Sequence, residues 1–247
     1  MLRLIRNLTP TLPAKGLALE EAILEHVCQG GMDTLRFWVN ERAVVIGRSQ
    51  AVASEVDLAQ AQRLTIPVLR RISGGGTVYH YPGNLNLSLF LADAHLFGTV
   101  IGTFSLLGEA ITSALSPLGI DASIRDNNLF IADKKIGGAA QARRGTALLY
   151  HTTLLVSPNT IPMERLLLAM HSGYTSMRVP SHPHATTTLT EIVPSLTLPV
   201  LVDHLTGAIC NLLRTTSTPG RPTKVERARA EELAEKKYRS DRWNLSR

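Results

Sequence analysis

Two cysteines in 247 residues are too few for a disulfide framework. Cys28 and Cys210 each fall in an amphipathic, helix-like stretch, where a free thiol behaves as a small hydrophobe. Long apolar runs are missing as well: none reaches the ~18–20 residues of a membrane span. The first helix-like segment carries Glu20, Glu21, Glu25 and His26, which excludes it as the apolar core of a signal peptide. Aromatic residues are 5% of the chain and are not interleaved with basic ones, unlike the stacking platform of a single-strand nucleic-acid binder. No internal repeat is visible. A cytoplasmic protein that engages neither membrane nor nucleic acid is the expectation.

The chain is 44% hydrophobic, enough for a full core, and its length allows one or two domains. The formal charge of +6 is unevenly spread. From Arg221 to Arg247 there are nine Lys/Arg and five Asp/Glu, so +4 of the +6 lies in that segment. A basic tail on a nearly neutral body suits anionic small molecules or an acidic protein partner.

Apolar spacing predicts helices over Leu17–Cys28, Glu55–Leu64, Val100–Leu118, Met163–Met170, Val200–Leu213 and Val225–Lys237. Thr34–Ile46 reads as two strands joined in a hairpin at Asn40-Glu41. Further strands are predicted at Val68–Arg71, Thr77–Tyr81, Asn84–Leu91 and Leu148–Val156, with a hairpin of Asn128–Ala132 and Lys135–Ile136 around Asp133-Lys134. Val179–Pro199, with Pro180, Pro183, Pro194, Pro199 and a threonine run, reads as a long loop around one short segment. Many consecutive strands mixed with helices imply an α+β layer fold rather than a regular βαβ winding.

Three motifs carry chemistry. The first is Arg70-Arg71-Ile72-Ser73-Gly74-Gly75-Gly76-Thr77-Val78-Tyr79-His80. Consecutive glycines let the backbone turn with φ > 0 and approach a ligand, and successive N–H groups in such a turn form an anion concavity. The arginines are planar, permanent donors suited to phosphate or carboxylate. The bland alternative is a flexible hairpin with solvated arginines; no Lys-Ser/Thr follows, so this is not the common phosphate loop. In the second, Asp126-Asn127-Asn128-Leu129 precedes Asp133-Lys134-Lys135-Ile136-Gly137-Gly138-Ala139-Ala140-Gln141. Lys135 opens a strand ending in open backbone, where an ammonium can hold a carboxylate and an α-phosphate together. Read alone, it could equally be a solvated turn lysine. The third, Tyr150-His151-Thr152-Thr153-Leu154-Leu155-Val156, is a polar head on an apolar strand, suited to a pocket wall or to an ordinary strand end.

In this order and spacing, Arg70–His80 with Gly83-Asn84, Lys135–Ala140 and His151–Val156 closely resemble the lipoate–protein ligase family. That family groups with biotin ligases and octanoyl/lipoyl transferases. Weaker echoes at Leu17–Glu21, Phe37–Asn40, Val44–Arg48, Thr175–Arg178, Thr188–Glu191, Lys237-Tyr238 and Trp243-Asn244 extend the match over nearly the whole chain.

The resemblance implies a mixed, largely antiparallel sheet flanked by helices, the class II synthetase-like catalytic domain of biotin and lipoate ligases, over residues 1–218. A basic helical extension follows over 219–247. It implies ATP-dependent activation of lipoate, or octanoate, to an acyl-adenylate, with Mg²⁺, and transfer of the acyl group to a carrier lysine. Lys135 would match the catalytic lysine. Trp38, Arg71, Ser73, Gly74, Gly75, Gly76, His80, Asn84, Asn128, Gly138, Ala139, His151 and Thr153 would line the lipoate and adenylate site. Family members often have Asp where this chain has Asn128, a position tied to metal and phosphate, and Asp126 could substitute. Tyr81 also stands where Asp is common. Many members carry an additional C-terminal domain, and others use a separate small accessory subunit, which is expected here. The acceptor would be a lipoyl-carrier protein of the glycine cleavage H type, the 2-oxoacid dehydrogenase E2 type or another lipoate-binding protein. The competing readings are an octanoyl/lipoyl transferase, which needs a cysteine near the pocket, a biotin ligase, and a noncatalytic carrier-binding module.

Overall fold

The computed structural model describes residues 1–246; Arg247, the last residue of the basic extension, lies outside the described residues. The chain opens on a strand without a clear sequence period, β1 (Leu2–Thr11), followed by α1 (Pro13–Cys28), β2 (Thr34–Asn40), β3 (Ala43–Ile46), α2 (Val52–Glu55) and α3 (Leu58–Arg63). Next come β4 (Val68–Arg70), β5 (Val78–His80), β6 (Asn84–Leu91), α4 (Val100–Leu115), β7 (Ser123–Arg125), β8 (Asn128–Ile131), β9 (Lys134–Arg144) and β10 (Ala147–Leu155). The chain continues through α5 (Leu189–Ile192), α6 (Leu198–Leu212), β11 (Ser217–Pro219), α7 (Lys224–Leu233) and α8 (Asp241–Asn244).

The expected α+β class is what forms. An eight-stranded sheet runs β11-β1-β2-β6-β10-β9-β8-β7, and a three-stranded sheet runs β4-β3-β5. In the large sheet β1 is parallel to both β11 and β2, and every other pairing is antiparallel. The period-two alternation of β6 sorts its two faces. Leu85, Leu87, Leu89 and Leu91 join α4 and α6 residues such as Leu107, Ile111, Leu205 and Ile209 in the largest apolar cluster. Each such buried leucine contributes about 1.5–3 kcal/mol. The intervening Asn86 and Ser88 point to the opposite face, where α1 packs through Ile23, Leu24 and Val27 against Phe90 and Leu149. Helix α7 in turn lies on α1, with Ala230 and Leu233 against Ala18 and Ala22.

Two expected elements are corrected. Thr34–Ile46 is not a hairpin: β2 and β3 lie in different sheets, because β1 and β6 occupy both edges of β2 while β3 pairs with β4 and β5. Met163–Met170 is not an α-helix but two separate 3-10 turns, Met163–Arg165 and Leu168–Met170. Leu166 and Leu167 between them are drawn into the cluster beneath the small sheet, with Val56, Ile66 and Tyr79. The hairpin around Asp133-Lys134 is present, and its second strand runs past the glycines to Arg144. Among the described residues, no helix is long and apolar enough to cross a membrane.

Candidate functional site

A cavity of about 270 Å³ is lined from both sheets: Trp38 of β2, Val45 of β3, His80 of β5, Asn86 of β6, Lys135 and Gly138–Ala140 of β9 and His151–Thr153 of β10. Leu17 of α1, the glycine loop, Asn127-Asn128 and the segment Val179–His182 close it. A smaller cavity of about 90 Å³ shares Lys135, Gly138 and Thr153 with the first and reaches Met163, Leu167 and Met170. Lys135 therefore stands where an apolar compartment containing Leu17, Trp38 and Val45 meets a second compartment.

The glycine loop is held from inside. Gly75 adopts φ +84, a conformation that favours glycine. Arg71 donates Nε to Ser73 Oγ at 3.0 Å and Nη1 to the Val45 carbonyl at 3.1 Å. Its Nη2 donates to the carbonyls of Gly74 at 2.6 Å and Gly76 at 2.7 Å. Burial lowers the Arg71 pKa to about 10, and the nearby Glu20 opposes that shift, so the group stays charged at neutral pH. Arg70 points away from the cavity, with Nη1 donating to the carbonyls of Gly47 at 3.0 Å and Gln50 at 2.8 Å. The two arginines are thus turned toward the frame of the loop.

Behind the loop runs a chain of hydrogen bonds. Ser73 Oγ, which accepts from Arg71, lies 2.7 Å from His151 Nε2. His151 Nδ1 then donates to Glu20 Oε1 at 2.9 Å. Glu20 also accepts from Ser88 Oγ at 2.6 Å, and Ser88 Oγ accepts from Trp38 Nε1 at 2.9 Å. Burial pushes the Glu20 carboxyl up, but His151, Ser88 and Arg36 outweigh it and hold the group below the ordinary carboxylate range. The Ser–His–Glu order has the form of a nucleophile triad. Ser73, however, is 1% exposed and lies behind the cavity wall, so the chain acts as a tie between α1, β10 and the loop. His80 accepts from Asn40 Nδ2 at Nδ1, 2.9 Å away. Burial, joined by the Arg71 charge, pushes its imidazole down to about 3, which leaves it neutral.

The facing wall is different. Among the described residues, no protein group accepts a hydrogen bond from the Lys135 ammonium, and no carboxylate forms an ion pair with it. Burial, with Arg71 adding repulsion, lowers its pKa to about 8. Room for it depends on Gly138: a Cβ there would sit 3.1 Å from Lys135 Nζ and 3.0 Å from Asn128 Oδ1.

Of the residues expected from the sequence, Trp38, Arg71, Gly75, Gly76, His80, Asn128, Lys135, Gly138, Ala139, His151 and Thr153 meet at the main cavity. Gly74 and Ser73 support that wall from outside it. Asn84 borders the smaller cavity and donates to the Tyr79 carbonyl at 2.8 Å, bracing β5. Asp126 is exposed in the turn before β8 and is not part of the lining. Among the described residues, no three His, Cys, Asp or Glu side chains gather as a metal site, and no carboxylate lines the cavity. These residues do not fit a protein-held Mg²⁺. Sequence reasoning missed Glu20, Asn40, Asn86, Asn127 and Ser181. Glu20, Asn40 and Asn127 fall inside segments that the resemblance covers, and the leucine alternation of β6 sends Asn86 and Ser88 to the opposite face; nothing local marked Ser181.

Residues 12–210 match the family model described as the lipoyl protein ligase A/B catalytic domain. A putative lipoate-protein ligase A of Aeropyrum pernix is 36% identical over 63% of this chain and 58% of its own length. Lipoate-protein ligase A subunit 1 of Thermoplasma acidophilum is 29% identical over 98% of this chain and 96% of its own length. The human mitochondrial lipoyl amidotransferase is 33% identical over 76% of this chain and 50% of its own length. The chain therefore spans about half the length of the Aeropyrum and human proteins. A solved lipoate-protein ligase A bound with ATP superposes with a TM-score of 0.84 at 30% identity, covering 99% of this chain and 97% of that one. A putative lipoate protein ligase from T. acidophilum with bound lipoic acid gives 0.83 at 29% identity, covering 99% and 98%.

Proposed function

The chain belongs to the lipoyl protein ligase A/B catalytic domain family, and from that premise we propose that it is a lipoate–protein ligase. It activates lipoate with ATP to lipoyl-AMP and transfers the lipoyl group to a specific lysine of a carrier domain. The observation that carries the reading is the unpaired, half-buried Lys135 ammonium at the junction of the two cavities. An uncommitted cation in a low-dielectric site is suited to a group that is itself anionic. Here that group is the carboxylate of lipoate facing the α-phosphate of ATP. A lipoate carboxylate oxygen attacks the α-phosphorus and pyrophosphate leaves. The carrier amine then attacks the acyl carbon and AMP leaves. Lys135 neutralises the two anions as they approach and the charge that develops between them.

Leu17, Trp38 and Val45 receive the apolar acyl chain. The Met163, Leu167 and Met170 compartment, adjoining Gly138, takes the nucleotide side. The solved neighbours with lipoic acid and with ATP support both ligands. Mg²⁺ would arrive with the ATP phosphates, and no step is assigned to it. A relative named as subunit 1, matched over 96% of its length, supports an accessory ligase subunit as a partner. An E2 lipoyl domain studied with a bipartite ligase of T. acidophilum supports a carrier domain of that type as acceptor.

A second reading, acyl transfer between carriers, draws on the human amidotransferase relative. A thioester route would need a thiol at the site, and neither Cys28 nor Cys210 lines the cavity. Incubating the protein, alone and with an accessory ligase subunit, with ATP, Mg²⁺, lipoate and candidate H-type and E2-type carriers, then weighing the carriers, separates the two. The ligase reading expects pyrophosphate release and a carrier heavier by one lipoyl group. Loading that needs a lipoylated donor and proceeds without ATP overturns it.

A further inference from the structure

Glu55 has no part in the chemistry above, yet it is 0% exposed. It closes α2, and its carboxylate is surrounded by hydroxyls. Oε1 accepts from Tyr174 and from Ser176 Oγ at 3.0 Å, and Oε2 accepts from Ser181 Oγ at 2.6 Å. Thr77 Oγ1, 3.0 Å from Gln50 Oε1, lies 3.4 Å from the same Oε2. A carboxylate withdrawn from water requires such partners.

Three of these donors come from residues 174–181, a stretch with no helix or strand. Val179, Pro180, Ser181 and His182 form one wall of the main cavity. The bonds interlock around Ser181. While donating to Glu55, Ser181 Oγ accepts from Thr77 N at 2.9 Å and Gln50 Nε2 at 3.1 Å. Tyr174, while donating to Glu55, accepts from Ser181 N at 3.0 Å. Apolar packing does little here, since Met177 is 77% exposed and Val179 40%. Polar bonds to one buried carboxylate therefore hold the wall in place and tie it to the glycine loop.

We propose that Glu55 is a positioning residue, a latch that keeps residues 174–182 shut over the acyl-adenylate and so keeps water from the mixed anhydride. The ligand in this statement rests on the ligase reading; the latch does not. Segments held by few buried apolar contacts open locally at low cost. Removing one hydrogen bond to a charged group raises an open population roughly 10- to 100-fold.

The test uses Glu55→Gln and Tyr174→Phe in the full chain. In Glu55→Gln the amide cannot accept from all the hydroxyls aimed at it; in Tyr174→Phe one donor to Glu55 is deleted together with the acceptor of Ser181 N. Trypsin cuts after Arg178, an exposed residue inside the latched segment, so the rate of that cut measures opening without any substrate. Lipoate, ATP and carrier then give the ratio of AMP formed to carrier loaded. The expected result is a normal melting curve, cleavage at Arg178 roughly 10-fold faster or more, and more AMP formed per carrier loaded. If Glu55→Gln fails to fold, Tyr174→Phe decides by the same two measurements. Cleavage at Arg178 at the wild-type rate overturns the latch, and so does faster cleavage with an unchanged AMP-to-carrier ratio. Absence of pyrophosphate release from the wild-type protein, even with an accessory ligase subunit present, would instead count against the ligase reading and leave the cleavage result to judge the latch.

Discussion

On the glycine-loop wall of the cavity, Arg71 directs its guanidinium at four acceptors of its own chain, and Ser73, His151 and Glu20 continue that network into α1. On the hairpin wall, Lys135 faces the cavity with no acceptor among the described residues, beside a glycine that leaves it space. One wall has used its donors to fix a backbone that a ligand can touch; the other keeps a donor in reserve. A site that must stabilise transient charge needs both, because fixed donors need no reorganisation and an unpaired cation is available to the substrate.

The largest expected effect comes from removing the reserved donor. Lys135→Ala lowers carrier loading by roughly 10²–10³-fold with a melting midpoint no lower than that of wild type; loading within threefold of wild type would falsify the proposed role. Next is the saturated wall. Arg71→Lys replaces a planar fork with a point charge that cannot reach the same carbonyls. It should cost about 2–3 kcal/mol of stability, read by denaturant melts. An unchanged midpoint would mean that the loop does not depend on those bonds.

A smaller effect is expected from pH. With a pKa of about 8, Lys135 is charged below that value, so activity is level to pH 8 and then falls about tenfold per unit. Lys135→Arg should remove the falling limb, and a limb that persists in that variant assigns it to another group. The stability effect has the opposite sign. The unfolded lysine, with a pKa of about 10.4, binds more protons than the folded one between 8 and 10.4. The contribution of Lys135 to stability therefore rises with pH across that window. The smallest effect is expected from Cys28→Ser with Cys210→Ser, since neither thiol touches either wall. A well-folded but inactive double mutant would revive the thioester transfer reading.

Much of both walls was legible in the sequence because their signals are local. The triple glycine between strands, the Asp133-Lys134 turn followed by Lys135 and two glycines, and the polar head of the β10 strand each declare themselves within a dozen residues. The supports were not legible. Glu20 sits mid-helix among apolar residues and resembles a surface carboxylate, until the fold places it 2.9 Å from His151, 131 positions away. Glu55 resembles an ordinary helix-terminal acid, until residues 174–181 bring three hydroxyls to it. The basic tail reads as a surface for anionic molecules or an acidic partner, yet Lys237 donates to both oxygens of Glu21 at 2.8 and 2.7 Å, and Arg3 pairs with Glu226 at 2.5 Å.

The order of amino acids alone determined where the backbone turns, which strand faces are apolar and which residue types could meet an anionic ligand. Turn propensity and side-chain alternation act over a few residues, so these features can be read directly. Only the tertiary structure decided that β2 and β3 part into different sheets, that Asp126 stays outside the cavity and that the Lys135 ammonium has no acceptor among the described residues. Strand-edge occupancy, burial and the pairing of charges depend on residues from tens to about two hundred positions apart, and no local pattern specifies them.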